Sequence, residues 1–470
     1  MYGRTHRIHF IGIGGIGMSG IAEVLLNMGY QVSGSDLRTG ETTERLVRLG
    51  GRVFTGHDPS NIEGAQVVVF STAVGQGNPE LVAARAAGVP VIGRADMLAE
   101  LMRMKYGVAV GGSHGKTTTT SMVATVLQRG GLDPTIVVGG RLKTLGTNAQ
   151  LGHGRFLVAE ADESDGSFLR LAPAVTVVTN IDREHLDHYK DLDDVRQAFI
   201  YFANRVPFYG VAVLCADDDN VRSILPKVTK RSILYGTRPE AEIRGTGLEV
   251  VPGGSRFRVE AAGKRIGLIE LCVPGRHNAL NALAAVAVGL ELEIAFEHIA
   301  ESLAGFHGVG RRFELRGEVA GVRVIDDYGH HPTEIAATLA AAKSVGAGRV
   351  LVVFQPHRYT RTASLVEEFG RCFGDAYRVW VMDVYAAGEP PIPGVSGNTV
   401  VESAHKHGAG HVHYAPTANE AVEAALREAR PGDLLLTLGA GDVSKLGEIL
   451  LDGLRASKTV AAPASGRGGR

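Results

Sequence analysis

The chain has 470 residues, 44% hydrophobic and 21% charged, and its 49 Lys and Arg nearly balance 50 Asp and Glu. A net charge near zero removes the electrostatic case for nucleic acid or an anionic membrane as the main partner. The length favours about three domains, and three scattered cysteines with no C-x-x-C pair argue against a disulfide framework or a cysteine zinc site.

The first residues, MYGRTHRIHFIGIGGIGMSG, place basic residues before an apolar run. Glycines break that run and a strand–turn–helix pattern follows, so it is not read as a signal peptide. No stretch reaches the roughly 18 apolar residues that a membrane span needs. A reducing, cytoplasmic location is expected.

Strand-like runs then alternate with helical ones, which predicts an α/β chain with mainly parallel sheets. In the first block, residues 1–104, HRIHFIGI is a strand, MSGIAEVLLNMG a helix, and YQVSGSD a second strand. Gly12, Gly14 and Gly17 fit G-x-G-x-x-G between strand and helix, with Asp36 closing the next strand. Such glycines let the backbone approach a diphosphate at a helix N-terminus. A nicotinamide or flavin dinucleotide, another diphosphate ligand, and a plain tight turn all fit this pattern.

The second block, residues 105–312, opens with the strand GVAVGG and the loop VGGSHGKTTTT. In the usual phosphate loop, G-x-x-x-x-G-K-[ST], the first glycine would stand at position 110. Val110 is there, and Gly111 comes one place late. The surroundings still read as a phosphate cradle: Lys116 for terminal phosphate oxygens, the Thr117 hydroxyl for Mg²⁺, and backbone N–H groups of the next helix. Met122, Val123, Val126 and Leu127 would share a buried stripe ending at Gly130-Gly131. AEADESD follows the apolar run Phe156–Ala159, so Glu160 could offer Mg²⁺ a hard oxygen. TNIDREHLDHY puts His185 beyond another strand end, and Asn278 and Asn281 open an apolar helix, as caps or as readers of an adenine edge.

The third block, residues 313–470, interleaves five strands with Ala-rich helices. DDYGHHPTE, QPHRYTRT and GAGD each follow a strand, and Arg358 and Arg361 suit bidentate binding of carboxylate or phosphate. From about residue 456 the tail lacks apolar periodicity and is expected to be disordered. Ligands of open α/β sheets gather beyond the carboxyl ends of strands, and the notable residues of all three blocks fall there, so a site built between domains is expected.

Taken together, ten ordered motifs from IHFIGIGGIGMSGIAEVL through SGSD, GSHGKTTTT, EADESDGSF, NIDREHLDHY, PGRHNALNALAA, GVGRRFE, DDYGHHPTE and FQPHRYTRT to LGAGD resemble the Mur ligase family. The resemblance spans everything but the tail, and GIGGIGMSGIAEVL is nearer its alanine-adding branch. It implies a Rossmann-like N-terminal domain, a central P-loop ATPase-like domain and a C-terminal Rossmann-like domain. It also implies ATP- and Mg²⁺-dependent ligation of L-alanine to the lactyl carboxylate of UDP-N-acetylmuramate. By the same resemblance, Gly112, Ser113, His114, Gly115, Lys116, Thr117, Thr118, Asn278, Asn281, Arg312 and Asp327 hold ATP, and Thr117, Glu160 and His185 hold metal. Gly12, Gly14, Gly15, Ile16, Gly17, Asp36, His57, Ser71, Thr72, Tyr328 and His331 meet substrate, and Lys116, Glu160, His185, His330, Arg358 and Arg361 are implied in catalysis. The alternatives are ligation of a preformed peptide to the same sugar nucleotide, or a dinucleotide-binding oxidoreductase.

Overall fold

The computed structural model describes residues 6–71, 73–139, 149–186, 188–251, 253–346 and 348–461. Its compact units are two: Met1–Gly247 with Phe257–Glu270 and Asn278–Val309, and Leu248–Arg256 with Leu271–His277 and Gly310–Arg470.

The first sheet holds β1 (Arg7–Ile11), β2 (Gln31–Asp36), β3 (Arg52–Thr55), β4 (Val67–Phe70) and β5 (Val91–Gly93) in the order 3-2-1-4-5. Every pairing is parallel, with Ile11 opposite Ser35 on one side and Phe70 on the other. Order reverses at β1, whose carboxyl end is therefore the switch point where ligands bind in such sheets.

The second sheet contains β6 (Tyr106–Gly111), β7 (Thr135–Val137), β8 (Ala149–Gln150), β9 (Phe156–Glu160), β10 (Pro173–Val178), β11 (Val211–Cys215), β12 (Ser232–Gly236), β13 (Ile243–Val251), β14 (Gly254–Ala261) and β15 (Lys264–Leu271). Its order is 15-14-13-12-11-10-6-9-7-8, with β6 paired in parallel to both β9 and β10. One buried core runs under both sheets, from Ile8 and Phe10 through Met97 and Leu101 to Phe168, Phe199 and Phe202. These three phenylalanines meet edge-on or tilted at centroid distances of 5.0–6.5 Å. Each contributes about 1.5–3 kcal/mol by burial, and Phe202 lies directly against Gly111, fixing the end of β6.

From Gly111 the chain turns into the helix Lys116–Arg129, which ends at Gly130. Met122, Val123, Val126 and Leu127 are all fully buried. Burial extends beyond that stripe to Thr118–Ser121, where Thr120 and Ser121 bond back one turn and the Thr119 hydroxyl is buried with no partner among the described residues. Thr120 donates to Lys116 O at 2.8 Å and Ser121 to Thr117 O at 2.6 Å.

In the second unit, β16 (Glu314–Val319), β17 (Val322–Asp327), β18 (Val350–Phe354), β19 (Arg378–Val381), β20 (Val412–Tyr414) and β21 (Leu434–Leu438) take the order 16-17-21-18-19-20. Only β16 is antiparallel, and apolar cores cover both faces. The last helix runs Leu446–Ala461, so the expected disorder from about 456 is corrected as far as 461. Leu450, Leu451 and Leu454 anchor it to the sheet, and propagation of an existing helix through residues such as Arg455 and Ala456 costs little. Residues 462–470 lie outside the described part.

Candidate active site

The loop after β6 has the geometry of a phosphate cradle. Gly112 sits at φ +131°, and a Cβ there would stand 2.0 Å from Thr179 Oγ1, so no other residue fits. Gly115, at φ +80°, hands the chain into the helix. Asn180 Oδ1 accepts from His114 N at 2.7 Å, and Thr179 Oγ1 donates to His114 O at 2.7 Å. Asp182 N donates to Ser113 Oγ at 2.8 Å, while the His114 ring pairs with Asp182 at 2.9 Å. The loop is thus stitched to the carboxyl end of the neighbouring β10. Thr118 is buried at the helix start, and Asn281 packs over Gly115 and shares a 3.4 Å hydrogen bond with Asn278.

Lys116 Nζ donates to Gly112 O at 2.8 Å and to Ser113 O at 3.1 Å. Both oxygens of Glu163 stand 2.9 Å from it. Burial pulls the ammonium pKa down, but Glu163, Asp162 and Glu184 more than reverse this and hold it above the ordinary lysine value. Glu160 closes β9 and accepts from Gly139 N at 2.9 Å and from the Thr117 hydroxyl. Burial raises its pKa despite those bonds. His185, held at φ +56°, points Nε2 at Glu163 (3.5 Å) and Glu184 (3.9 Å). Burial lowers its pKa, yet the two carboxylates win and raise it. Ligand atoms of Glu163, Glu184 and His185 lie within 4.8 Å of one another.

At the carboxyl end of β1, Gly12 N and Ile13 N donate to Ser35 O. Gly14 N donates to Asp36 Oδ2 at 2.9 Å, and a Cβ on Gly14 would collide with that oxygen at the same distance. Asp36 therefore holds the loop with one oxygen. Gly15 caps the helix Ile16–Asn27, and Ile16 stands 55% exposed beside the loop. Ser71 follows β4 with its backbone N–H on Ile11 O, and His57 follows β3 with its ring on Ser35. Thr72 lies outside the described residues.

In the second unit, Asp327 ends β17 and accepts from Phe313 N and Gly329 N, both at 2.7 Å. Burial raises its pKa against those bonds. Tyr328 carries Arg311 and Arg312 against its ring at 4.9 and 5.0 Å. His330 bonds Tyr328 O at 3.1 Å and lies 5.7 Å from the His357 ring, while His331 caps the helix Pro332–Ser344. His357 stacks on Tyr385. Burial first, then His330, Arg361, Arg358 and Arg311, push its pKa down to about 3, so it stays neutral and able to accept. Arg361 Nη1 donates to His357 O at 3.3 Å, and Arg358 occupies the left-handed region at φ +70°. His330, His357, Arg358 and Arg361 thus come together beyond the carboxyl ends of β17 and β18.

Three family descriptions match: Mur ligase family, catalytic domain (residues 7–106); Mur ligase middle domain (110–289); and Mur ligase, glutamate ligase domain (311–441). A UDP-N-acetylmuramate–L-alanine ligase of Geobacter sp. (strain M21) is 56% identical over 459 residues, 97% of this chain and 100% of that one. The chain belongs to the Mur ligase family. A second relative in it, the UDP-N-acetylmuramate–L-alanine ligase of Solibacter usitatus, is 55% identical over 97% of each chain. The solved UDP-N-acetylmuramate–alanine ligase of Thermotoga maritima superposes with a TM-score of 0.80 at 30% identity, covering 96% of this chain and 99% of that one. A murein peptide ligase of Psychrobacter arcticus, 22% identical with a TM-score of 0.70 over 96% and 98%, shares the fold.

This Mur ligase carries site residues that pattern reading passed over. Glu163 lay in an acidic run that resembles a solvated loop, yet it is the carboxylate that meets Lys116. Its only sequence signal was its position three residues past a strand end and its Glu rather than Asp reach. Arg94 donates to Asp162 at 3.2 Å and packs against Gly17, so it links the glycine loop to the acidic loop. His357 was overlooked beside the two arginines. No local pattern marks either of them, because their partners are distant in sequence.

Proposed function

We propose that this chain joins L-alanine to the lactyl carboxylate of UDP-N-acetylmuramate, converting ATP to ADP and phosphate, in peptidoglycan precursor synthesis. The observation that carries the reading is the Lys116 cradle, formed although its first glycine is displaced. Relatives more than half identical over nearly the whole chain bear this activity in their names. Mur ligases use ATP. A carboxylate is a poor electrophile; transfer of the γ-phosphoryl group gives an acyl phosphate, from which phosphate leaves when the alanine amine attacks.

Phosphoryl transfer needs alignment and charge neutralisation more than covalent help. Lys116 supplies a fixed positive charge at the helix start, and the loop N–H groups orient the phosphates. The donor set suits Mg²⁺: a hydroxyl on Thr117 hydrogen-bonded to the half-buried Glu160, with His185 among further carboxylates. Thr117 and Glu160 would hold one ion and His185 a second, and bound metal would supply charge neutralisation at the phosphates. Gly12, Gly14, Gly15, Gly17 and Asp36 receive the uridine diphosphate, with Ile16, His57 and Ser71 beside it. Arg358 and Arg361 steady the alanine carboxylate or the developing oxyanion, and neutral His357 keeps Arg361 in place. Nucleotide substrates favour a cytoplasmic reaction; among the described residues no helix is long and apolar enough to cross a membrane.

The test is ADP formation, which should require UDP-N-acetylmuramate, Mg²⁺ and L-alanine together. ADP release indifferent to the sugar nucleotide overturns the proposal. Parallel assays with L-alanine and with a tripeptide separate it from peptide ligation.

A further inference from the structure

The carboxyl ends of β6, β9 and β10 carry the phosphate cradle, and their amino ends frame a second concavity that the ligase chemistry does not use. It is a cleft of about 790 Å³, within the range of small-molecule pockets. The length of β6 separates it from the cradle by roughly 17 Å. Small residues leave the space: Gly107 on β6, where a Cβ would press on Met102 Sδ at 3.1 Å, and Ala172 to Ala174 at the start of β10.

The wall carries Arg103, Lys105, Arg155 and Arg205 and no Asp or Glu, in a chain whose charges otherwise balance. Lys105 is fixed from behind, Nζ donating to Gly152 O at 2.8 Å and to Gly154 O at 2.6 Å. Both glycines are pressed onto neighbouring backbone: a Cβ on Gly152 would lie 2.2 Å from Asp133 O, and one on Gly154 1.8 Å from Leu132 O. An ammonium has three donors, so one is left. Burial lowers the Lys105 pKa and Asp133 offsets this only in part. Arg205 donates Nε to Leu171 O at 3.3 Å and lies over the Tyr201 ring, while Arg103 pairs with Glu100 behind the wall. Holding the turn at Gly152–Gly154 accounts for the lysine and not for three arginines around it. Tyr106 and Tyr209 meet edge-on at 6.3 Å and are 46% and 57% exposed, so each keeps ring surface open beside the cations.

We propose that this cleft binds a small phosphorylated molecule with a planar ring, of the nucleoside monophosphate class, at a site separate from those proposed for ATP and the uridine nucleotide. Arg155, Arg205 and the third N–H of Lys105 take the phosphate oxygens through charge-assisted bonds. Tyr106 and Tyr209 offer their faces to the ring, since stacking tolerates any flat base. A wall without carboxylates sets no repulsion against the dianion.

The test uses the full chain with UDP and a non-hydrolysable ATP analogue both saturating. It follows the ¹³C-labelled methyl signals of Met102 and Met104, both on the wall, assigned through their Met→Leu variants. Inosine monophosphate should shift these signals saturably. It should bind at least about tenfold tighter than inosine, which lacks the phosphate, and at least about fivefold tighter than ribose 5-phosphate, which lacks the ring. Arg155→Ala, at an exposed position, should move Tm by less than about 2 °C. Arg155→Ala and Tyr209→Ala should each weaken inosine monophosphate at least about fivefold. No saturable shift, equal binding of inosine or of ribose 5-phosphate, or undiminished affinity in either variant overturns the proposal. The methyl signals report the cleft and not turnover, so loss of ligase activity with this binding intact refutes only the proposed function.

Discussion

Truncating Glu163 probes the pairing at the centre of the cradle. Its side chain is 2% exposed and that of Lys116 17%. Glu163→Ala leaves the ammonium with two loop carbonyls and no carboxylate in contact. Breaking a buried ion pair by removing one partner costs about 3–5 kcal/mol. The retained carbonyl bonds and partial access of water put this case at the lower end, about 3 kcal/mol. For a domain of some 200 residues that is a fall in Tm of roughly 6–12 °C, read by scanning calorimetry without nucleotide. The pH dependence carries a sign. A lysine raised above its ordinary value of 10.5 contributes stability that is complete below 10.5 and lost as pH rises through the higher folded value. Without Glu163, burial, which lowers the pKa, regains weight, and the variant's deficit should narrow between pH 7 and 10. Lys116→Met with Glu163→Leu should melt closer to the unmodified protein than Glu163→Ala, although it cannot turn over. A Tm change under 2 °C for Glu163→Ala, with no pH trend, would refute the pairing argument.

Lys116→Ala should lower kcat at least about a hundredfold; near-normal ADP formation in a coupled assay removes its assigned role. Gly112→Ala combines positive φ with a 2.0 Å approach to Thr179 Oγ1, so ATP binding by calorimetry should fall at least about tenfold and Tm should drop too. Arg358→Ala should raise KM for L-alanine while leaving KM for ATP within about twofold, and a uniform change in both contradicts carboxylate binding. Glu80 has a folded pKa of about 2 against an ordinary 4.5, so its contribution is present above 4.5 and lost as pH falls towards 2. Acid unfolding of Glu80→Gln should lose that part of its pH slope.

Much of the site was legible because its residues follow strands directly. The strand–glycine–helix units at Gly12 and Gly112, Glu160 at the end of β9, and Asp327 at the end of β17 all stand where the alternation of apolar runs placed them. The phosphate loop was readable despite its shifted glycine, because Lys116-Thr117 and the apolar helix behind it are local features. The Thr118–Ser121 run offered no such reading: it resembles a polar face, yet it is buried, with Thr120 and Ser121 bonded back to the preceding turn.

The sequence by itself determined the alternation of strands and helices, the glycine turns and the set of side chains available at strand ends, since these depend on neighbours within a few residues. Only the tertiary structure decided that Glu163 meets Lys116 across 47 positions, that Asp36 holds Gly14, and that Glu80 reaches Ser35, His57 and Asn61. Those pairings are selected by the cost of leaving a buried charge without a partner, and that cost exists only once the sheets have packed and water has been excluded.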